Sequence, residues 1–135
     1  MSASSVFTYG TLQIPAVMQA VTGQKFNSVP ATLNGYQRLK IKDKTYPGII
    51  QNPDNSIDGM LYRDIDDQIL ALLDKFEDVC YERVVVDVMV ENKTEKTFVY
   101  VWKDEYKNQL SNKDWDLEEF KRKYLKLYLK NISSN

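Results

Sequence analysis

Residues 83–102, RVVVDVMVENKTEKTFVYVW, indicate the fold more clearly than any other stretch of the chain. Valines occupy every even position from 84 to 90, and this period of two predicts a β-strand with one apolar face. The polar residues 92–95 predict a hairpin loop, and apolar and aromatic residues alternate again in the returning strand, 98–102. Because both faces of the returning strand carry apolar groups, we expect it to be central in its sheet.

Shorter elements surround this hairpin. Residues 6–9 predict a buried strand, and Pro15 begins a short helix that Gly23 ends. Residues 26–62 predict strands separated by turns, including a turn at residues 53–56.

Two helical patterns follow in the chain. Asp64 is expected to cap the first helix, and Asn112 or Asp114 the C-terminal one. The apolar residues that recur with helical spacing are Ile65, Ile69, Leu72, Leu73 and Phe76 in the first, and Leu117, Phe120, Tyr124 and Leu127 in the second.

The chain of 135 residues contains no internal repeat, no low-complexity stretch and no linker longer than a turn. We therefore expect one domain over residues 1–135, with disordered ends at residues 1–4 and 133–135. Many short strands and few helices predict an antiparallel α+β fold whose sheet could close into a small barrel with helices against it.

The composition narrows the chemistry that an enzyme of this sequence could use. There is no histidine, which excludes Ser-His-Asp triads and histidine-ligated metal sites, and the single cysteine, Cys80, excludes an intrachain disulfide. The five glycines form no dinucleotide-binding or P-loop motif. Proton transfer would have to use Asp, Glu, Lys, Tyr, Cys80 or backbone amides. Cys80 itself fits a small buried side chain better than a nucleophile.

The charge pattern bears on partners and location. The 18 basic and 19 acidic residues give a net charge of −1, which provides no basic surface for nucleic acid or anionic membranes. The first ten residues lack the basic and apolar regions of a signal peptide, and no apolar run reaches the roughly twenty residues of a membrane span. We expect a cytoplasmic protein with a small or locally recognised partner.

Glu77 stands out among the acidic residues. If the first helix reaches it, its carboxylate continues an apolar stripe with Leu70 and Leu73. Burial there would disfavour the ionised form and raise the pKa of Glu77 from about 4.3 towards the range of a useful base. In the alternative interpretation the helix frays, and Glu77 reaches water or pairs with Arg83 or Lys75.

Residues 9–12, Tyr-Gly-Thr-Leu, are a second candidate site. A strand that ends in Gly10 leaves backbone N–H groups without ladder partners, and successive amides in a tight turn can hold a carboxylate or an oxyanion. The alternative is an ordinary connection between a strand and a helix. The aromatic row at residues 98, 100 and 102 fits cross-strand packing, although one ring could line a pocket. The acidic residues 64, 66 and 67 fit a helix cap better than a cation site.

Taken in order, these residues resemble the γ-glutamylcyclotransferase family, in particular its AIG2-like branch, which includes γ-glutamylamine cyclotransferase. The resemblance spans nearly the whole chain. It implies a small, mixed, mostly antiparallel β-barrel with flanking helices and a pocket at one end. The matching segments are Val6–Leu12, Ala31–Arg38, Tyr46–Ile49, Gly59–Tyr62, Leu73–Asp78, Tyr81–Arg83, Tyr100–Trp102 and Trp115–Phe120.

The resemblance also implies roles for individual residues. Glu77 would be the general acid/base, and the backbone amides of Tyr9, Gly10, Thr11 and Leu12 would bind the glutamyl group. Tyr81 and Arg83 could line or support the pocket. Asp78 is a departure, because many members have glycine there, and an extra acid beside Glu77 could raise the pKa of Glu77 further or alter the pocket wall. The segment after Leu12 lacks the polar, glycine-containing stretch of many relatives.

The implied reaction suits this composition. The α-amine of a γ-glutamyl amide can attack its own γ-carbonyl, forming 5-oxoproline and releasing the amine, with no metal or cofactor. The substrate would be a small γ-glutamyl compound, and the sequence does not distinguish among γ-glutamyl amino acids, γ-glutamyl-lysine and other conjugates. The alternative is a binding or interaction module on the same scaffold with no turnover.

Overall fold

The computed structural model describes residues 4–77 and 79–133. Of the expected disordered ends, residues 1–3 and 134–135 lie outside the described residues, whereas Ser4 and Ser133 belong to regular elements. Asp78 also lies outside the described residues, so the effect expected of it stays a prediction. The elements in chain order are β1 (Ser4–Thr8), a 3-10 turn (Thr11–Gln13), α1 (Pro15–Thr22), β2 (Ser28–Ile41), β3 (Pro47–Ile65), α2 (Asp67–Phe76), β4 (Tyr81–Val90), β5 (Lys93–Trp102), a 3-10 segment (Asp104–Gln109), β6 (Leu110–Asp114), α3 (Leu117–Lys123) and α4 (Leu125–Ser133).

The strands in the described part of the chain form one six-stranded sheet in the order β3-β1-β5-β4-β2-β6. β3 also pairs with β2, so the pairings from β3 through β1, β5, β4 and β2 return to β3. The β1–β5 pairing is parallel and the other pairings are antiparallel. The expected mixed, mostly antiparallel α+β fold is confirmed, and β5 is central as predicted.

The β4–β5 hairpin is tighter than the sequence predicts. Val90 pairs with Lys93, which leaves only Glu91 and Asn92 in the turn instead of the expected loop at residues 92–95. Both turn residues have positive φ, 49° and 68°. Two such residues form the turn whose twist matches that of the flanking strands.

β3 is a single strand of 19 residues, so the expected turn at residues 53–56 does not divide it into two strands. Its register with β2 changes between the pairs Asn34–Ser56 and Tyr36–Gln51. One residue of β2, Gly35 with φ 84°, therefore faces residues 52–55, which form a bulge. The turn-forming residues are accommodated inside the strand.

The helix starts differ from those expected. Asp66, not Asp64, caps α2, because its Oδ1 accepts from Ile69 N across 2.9 Å while β3 continues through Ile65. Asp116 caps α3 in the same way, with Glu119 N at 3.0 Å. The expected caps at residues 112 and 114 lie in β6.

Other helix boundaries follow the sequence more closely. α1 begins at Pro15 and ends at Gly23, which is left-handed with φ 78°, as predicted. The C-terminal pattern forms two helices rather than one, because the backbone of Tyr124 departs from helical geometry. After this break Leu127 is 63% exposed, and Tyr128 is half-buried instead. No helix within residues 4–77 and 79–133 is long and apolar enough to cross a membrane.

Two main hydrophobic clusters hold the fold together. In one, residues of the helices pack against Val6, Tyr62 and Tyr100 of the sheet. The second, around Phe7 and Ile49, joins the strands that close the circuit of pairings. β1 contributes adjacent residues to both clusters, which fixes the position of its C-terminal end, where the candidate site begins.

Candidate functional site

A cavity of about 370 Å³ opens where β1 ends. The loop of residues 9–12 forms part of its wall, and Glu77 and Tyr81 form another part. The structure therefore brings both candidate sites of the sequence together, whereas Arg83 is not among the described lining residues. The other lining residues are Phe7, Thr8, Tyr46, Pro47, Lys75, Phe76, Tyr100 and Tyr128.

The loop presents backbone amides at the cavity wall. The first hydrogen bond of the 3-10 turn runs from Gln13 N to Gly10 O at 3.1 Å, so the N–H groups of Thr11 and Leu12 have no partner inside the turn. Tyr62 Oη donates to Leu12 O across 2.8 Å and fixes the far end of the loop. Thr11 and Leu12 both line the cavity, and free backbone amides of this kind can hold an anionic group.

Gly10 gives the loop space and does not supply a left-handed bend. Its φ is −120°, outside the left-handed region. A Cβ at this position would lie 3.0 Å from Pro47 Cδ and 3.1 Å from Pro47 Cγ. Glycine thus allows Pro47 and the loop to approach each other closely at the cavity.

Tyr9 is buried and is held at both ends. Its hydroxyl donates to Tyr100 O across 2.5 Å, and its own carbonyl accepts from Arg38 Nη1 across 2.8 Å. Burial raises the pKa of Tyr9 well above its usual value of 10, and the charge of Glu77 raises it further. The Tyr9 phenol is therefore a neutral donor at physiological pH.

Glu77 ends α2 instead of continuing its apolar stripe. Its N–H donates to Leu73 O across 3.0 Å, but its ψ of 143° turns the chain out of the helix. The side chain is half-buried at the cavity. Its negative charge contributes to raising the pKa of four tyrosines that line the same cavity, Tyr9, Tyr81, Tyr100 and Tyr128.

Hydrogen bonds also orient the other tyrosine hydroxyls around the cavity. Tyr81 Oη donates to Pro47 O across 2.6 Å, and the hydroxyls of Tyr128 and Thr11 are 3.1 Å apart. Burial raises the pKa of Tyr81 well above 10 and that of Tyr128 to about 12. Neutral tyrosines thus line the cavity together with Glu77 and Lys75.

Arg83 lies behind the cavity wall. Its ion-pair partner is Asp74, at 2.9 Å from Nε to Oδ1 and 3.1 Å from Nη2 to Oδ2. Asp74 Oδ1 also accepts from Tyr100 Oη across 2.6 Å, and the Arg83 guanidinium lies 4.5 Å from the centre of the Phe98 ring. Arg83 therefore supports the lining residue Tyr100 through Asp74.

The remaining chemical groups have structural positions. Cys80 is buried beside Trp102 in a third hydrophobic cluster. Among the described residues, no group of three or more histidine, cysteine, aspartate and glutamate side chains is placed to hold a metal ion. Asp66 is a helix cap, as expected for one member of that acidic run.

Sequence reasoning missed the contributions of Arg38 and Tyr128. Arg38 lies in a segment that carries the family resemblance, but only the fold brings it to the Tyr9 carbonyl. Tyr128 lies one helical turn after Tyr124, with Tyr128 N bonded to Tyr124 O across 2.9 Å, so helical spacing could have identified it in place of Leu127. Tyr100 is the ring of the aromatic row that lines the cavity.

Comparisons with known proteins agree on the kind of protein this is. The sequence model of a family described as gamma-glutamyl cyclotransferase, AIG2-like, matches residues 6–117. AIG2-like protein C of Arabidopsis thaliana is 36% identical over 123 residues, which cover 90% of this chain and 71% of the relative.

Solved structures resemble the fold over almost its whole length. The solution structure of an Arabidopsis thaliana protein has a TM-score of 0.75 and 29% identity, and the match covers 99% of this chain and 82% of that one. A structure described as gamma-glutamyl cyclotransferase has a TM-score of 0.67 at 15% identity, covering 98% and 88% of the two chains. At that identity the second likeness concerns the fold alone.

Proposed function

The chain belongs to the gamma-glutamyl cyclotransferase, AIG2-like family, and on that premise we propose that it converts a γ-glutamyl amide to 5-oxoproline and the free amine. Glu77 is the proposed general acid/base. The observation that carries this proposal is that Glu77 and the amide-bearing loop of residues 9–12 line one cavity. A carboxylate and backbone amides in the wall of one cavity are the groups that the proposed reaction needs.

The proposed reaction needs no water and no external proton. Glu77 takes one proton from the α-ammonium of the substrate, and the neutral α-amine attacks the γ-carbonyl carbon to form a five-membered ring. Glu77 returns that proton to the leaving nitrogen as the γ-carbon–nitrogen bond breaks, and a second proton passes from the ring nitrogen to the same amine. The products are the lactam and a protonated amine, so protons balance between substrate and products.

Groups in the cavity wall can stabilise the negative charges present during the proposed reaction. The α-carboxylate is anionic throughout, and the γ-carbonyl oxygen becomes anionic during attack. The amides of residues 10–12 are preorganised donors for one of these groups, and preorganised donors stabilise developing charge more than mobile ones. The phenols of Tyr9, Tyr81 and Tyr128 are neutral, so none of them competes with Glu77 for the substrate ammonium.

The test is incubation of the protein with a panel of γ-glutamyl amino acids, γ-glutamyl-lysine and other γ-glutamyl amides, with 5-oxoproline measured by mass spectrometry. At least one compound should yield 5-oxoproline with the wild type and not with Glu77→Gln. Glu105→Gln is the matched control, because Glu105 is exposed in the 3-10 segment and does not line the cavity. Binding of panel compounds without product would instead favour the non-catalytic binding module.

A further inference from the structure

Arg38 is a half-buried cation whose surroundings are fully ordered by the fold. Its Nη1 donates to Tyr9 O across 2.8 Å and to Asp58 O across 3.2 Å. The guanidinium lies 5.6 Å from the centre of the Trp115 ring, and Trp115 is itself fixed by a 2.7 Å bond from Nε1 to Thr45 O. A guanidinium held in this way has little freedom to leave the Tyr9 carbonyl.

This bond fixes a peptide plane at the cavity. The peptide between Tyr9 and Gly10 is trans, so its N–H points opposite to its C=O. A carbonyl directed at Arg38 leaves the Gly10 N–H directed away from Arg38, and Gly10, unlike Arg38, lines the cavity. The bond from Tyr9 Oη to Tyr100 O holds the same residue at its other end.

The charge of Arg38 strengthens this arrangement. A cationic donor on a carbonyl polarises the peptide and makes its N–H a better donor to an anion. Burial lowers the pKa of Arg38, while the nearby carboxylates of Asp58, Asp114 and Asp116 raise it, and arginine remains protonated in proteins. The Arg38 guanidinium therefore keeps its positive charge throughout the pH range in which the protein is folded.

We propose that Arg38 is a positioning residue: it acts through the Tyr9 carbonyl to orient and polarise the Gly10 N–H as a donor to an anionic group of the substrate. The group is either the α-carboxylate or the oxyanion formed on the γ-carbonyl. The inference rests on the proposed function in taking a γ-glutamyl amide as the substrate. A purely structural Arg38 would join β2 to the loop without affecting how the site treats that substrate.

Kinetics on the best substrate of the panel test this inference. Arg38→Met and Arg38→Gln should each lower kcat/KM by between about ten- and a hundredfold, the usual effect of losing a charge-assisted bond that positions a site. Arg38→Lys, which keeps a cation and one donor, should recover part of that loss. A rise in KM alone identifies the α-carboxylate as the partner of the amide, and a fall in kcat identifies the oxyanion.

Arg122→Met is the control, because Arg122 is exposed on α3 and should leave both constants unchanged. Wild-type values of kcat and KM in folded Arg38→Met and Arg38→Gln would overturn the inference and leave the proposed function standing.

A second readout does not depend on turnover. The Gly10 amide resonance should shift in Arg38→Met, because the cation that polarises its peptide is lost, while the ladder amides of β1 keep their wild-type resonances. If the wild type turns over no panel compound, the proposed function fails. The Gly10 amide then decides the orienting role: an unchanged amide in Arg38→Met overturns it, and a changed amide supports it.

Discussion

Asp74 and Arg83 form a two-point ion pair, Oδ1 to Nε at 2.9 Å and Oδ2 to Nη2 at 3.1 Å. This pair answers a question that the sequence left open, because Arg83 was one of the partners considered for Glu77. The carboxylate that Arg83 binds is that of Asp74 in α2, and this carboxylate also accepts a hydrogen bond from Tyr100 Oη across 2.6 Å. Arg83 thus has a structural partner of its own, and Glu77 can be changed without disrupting that pair.

Glu77→Gln should abolish turnover and keep the fold. A general acid/base contributes about a hundred- to ten-thousandfold, and an amide cannot accept the substrate proton, so kcat should fall by at least a hundredfold. Glutamine fills the same space, and the Asp74–Arg83 pair remains, so Tm should change by only a few degrees. Product release and thermal melts at neutral pH measure both quantities. Retained turnover would refute the assignment of Glu77.

Substitutions at Gly10 should show a graded effect. In Gly10→Ala, Pro47 must move by a few tenths of an ångström to accept a Cβ that otherwise lies 3.0 Å from its Cδ. Gly10→Val adds two methyl groups at the same place and crowds the loop amides. KM should therefore rise slightly in the alanine variant and strongly in the valine variant. Equal and unchanged kinetics in both folded variants would show that the loop is only a connection.

Arg83→Met should reduce both stability and activity by modest amounts. The side chains of Arg83 and Asp74 are 30% and 40% exposed, so solvent limits the contribution of their pair to below about 1 kcal/mol, and the contact with the Phe98 ring adds a similar amount at most. Loss of Arg83 leaves Tyr100 less firmly held, and kcat/KM should fall several-fold.

The chain contains a matched control for this variant. Arg63 and Glu95 form an equivalent two-point pair, at 3.1 and 2.6 Å, that does not line the cavity. Arg63→Met should lower the free energy of unfolding by about as much as Arg83→Met and leave kcat/KM unchanged. Equal kinetic effects in the two variants would contradict the supporting role of Arg83.

Sequence patterns predicted the helices and strands that are determined by their own residues. The β4–β5 hairpin and α1 follow from alternation and from a terminal glycine, and both were predicted. The cap of α2 was misplaced, because any of several aspartates could accept from a helix amide, and it is the pairing of Ser4 with Ile65 that keeps residue 64 in β3. β6 was missed, because it is short and mostly polar and shows no alternation of apolar and polar residues. It joins β2 through the residue pairs Leu39–Asp114 and Ile41–Leu110.

The candidate site divides in the same way. Glu77 and the loop of residues 9–12 were identified in advance, because an acid after an apolar stripe and a glycine after a strand are visible in sequence. Arg38 was not identified, since it meets the loop only in the folded sheet, and a residue placed by tertiary contacts leaves no periodic signal. Tyr128 was not identified because Leu127 was assigned to the apolar stripe, although Tyr128 is in phase with Tyr124.

Removal of divalent ions should not affect the proposed activity. The substrate supplies its own nucleophile, and the proposed proton transfers involve only Glu77 and the nitrogens of the substrate. Release of 5-oxoproline should therefore proceed at the same rate after dialysis against EDTA as before. If activity were lost after dialysis and restored by a divalent ion, this mechanism would be wrong, whatever the effect of Glu77→Gln.

Alkaline pH should unfold the protein through its buried tyrosines, and Tyr62 is the clearest case. Tyr62 is 1% exposed, and burial raises its pKa from 10 to about 12. Because the folded value lies above the unfolded one, the stabilisation from this group is complete below pH 10 and is lost as pH rises through 12. The shift corresponds to at most about 2.7 kcal/mol.

Tyr62→Phe tests the contribution of Tyr62, because the variant should be less stable than the wild type at pH 7 and should lose less stability at alkaline pH. At pH 7 the variant lacks the bond to Leu12 O and should be about 1 kcal/mol less stable than the wild type. Between pH 10 and 12 it has no phenol to ionise at this position, so its stability should decline less steeply and the difference should shrink or reverse. Urea unfolding followed by circular dichroism at pH 7, 10 and 11.5 measures the difference. Parallel decline of both proteins would show that Tyr62 does not contribute to the alkaline transition.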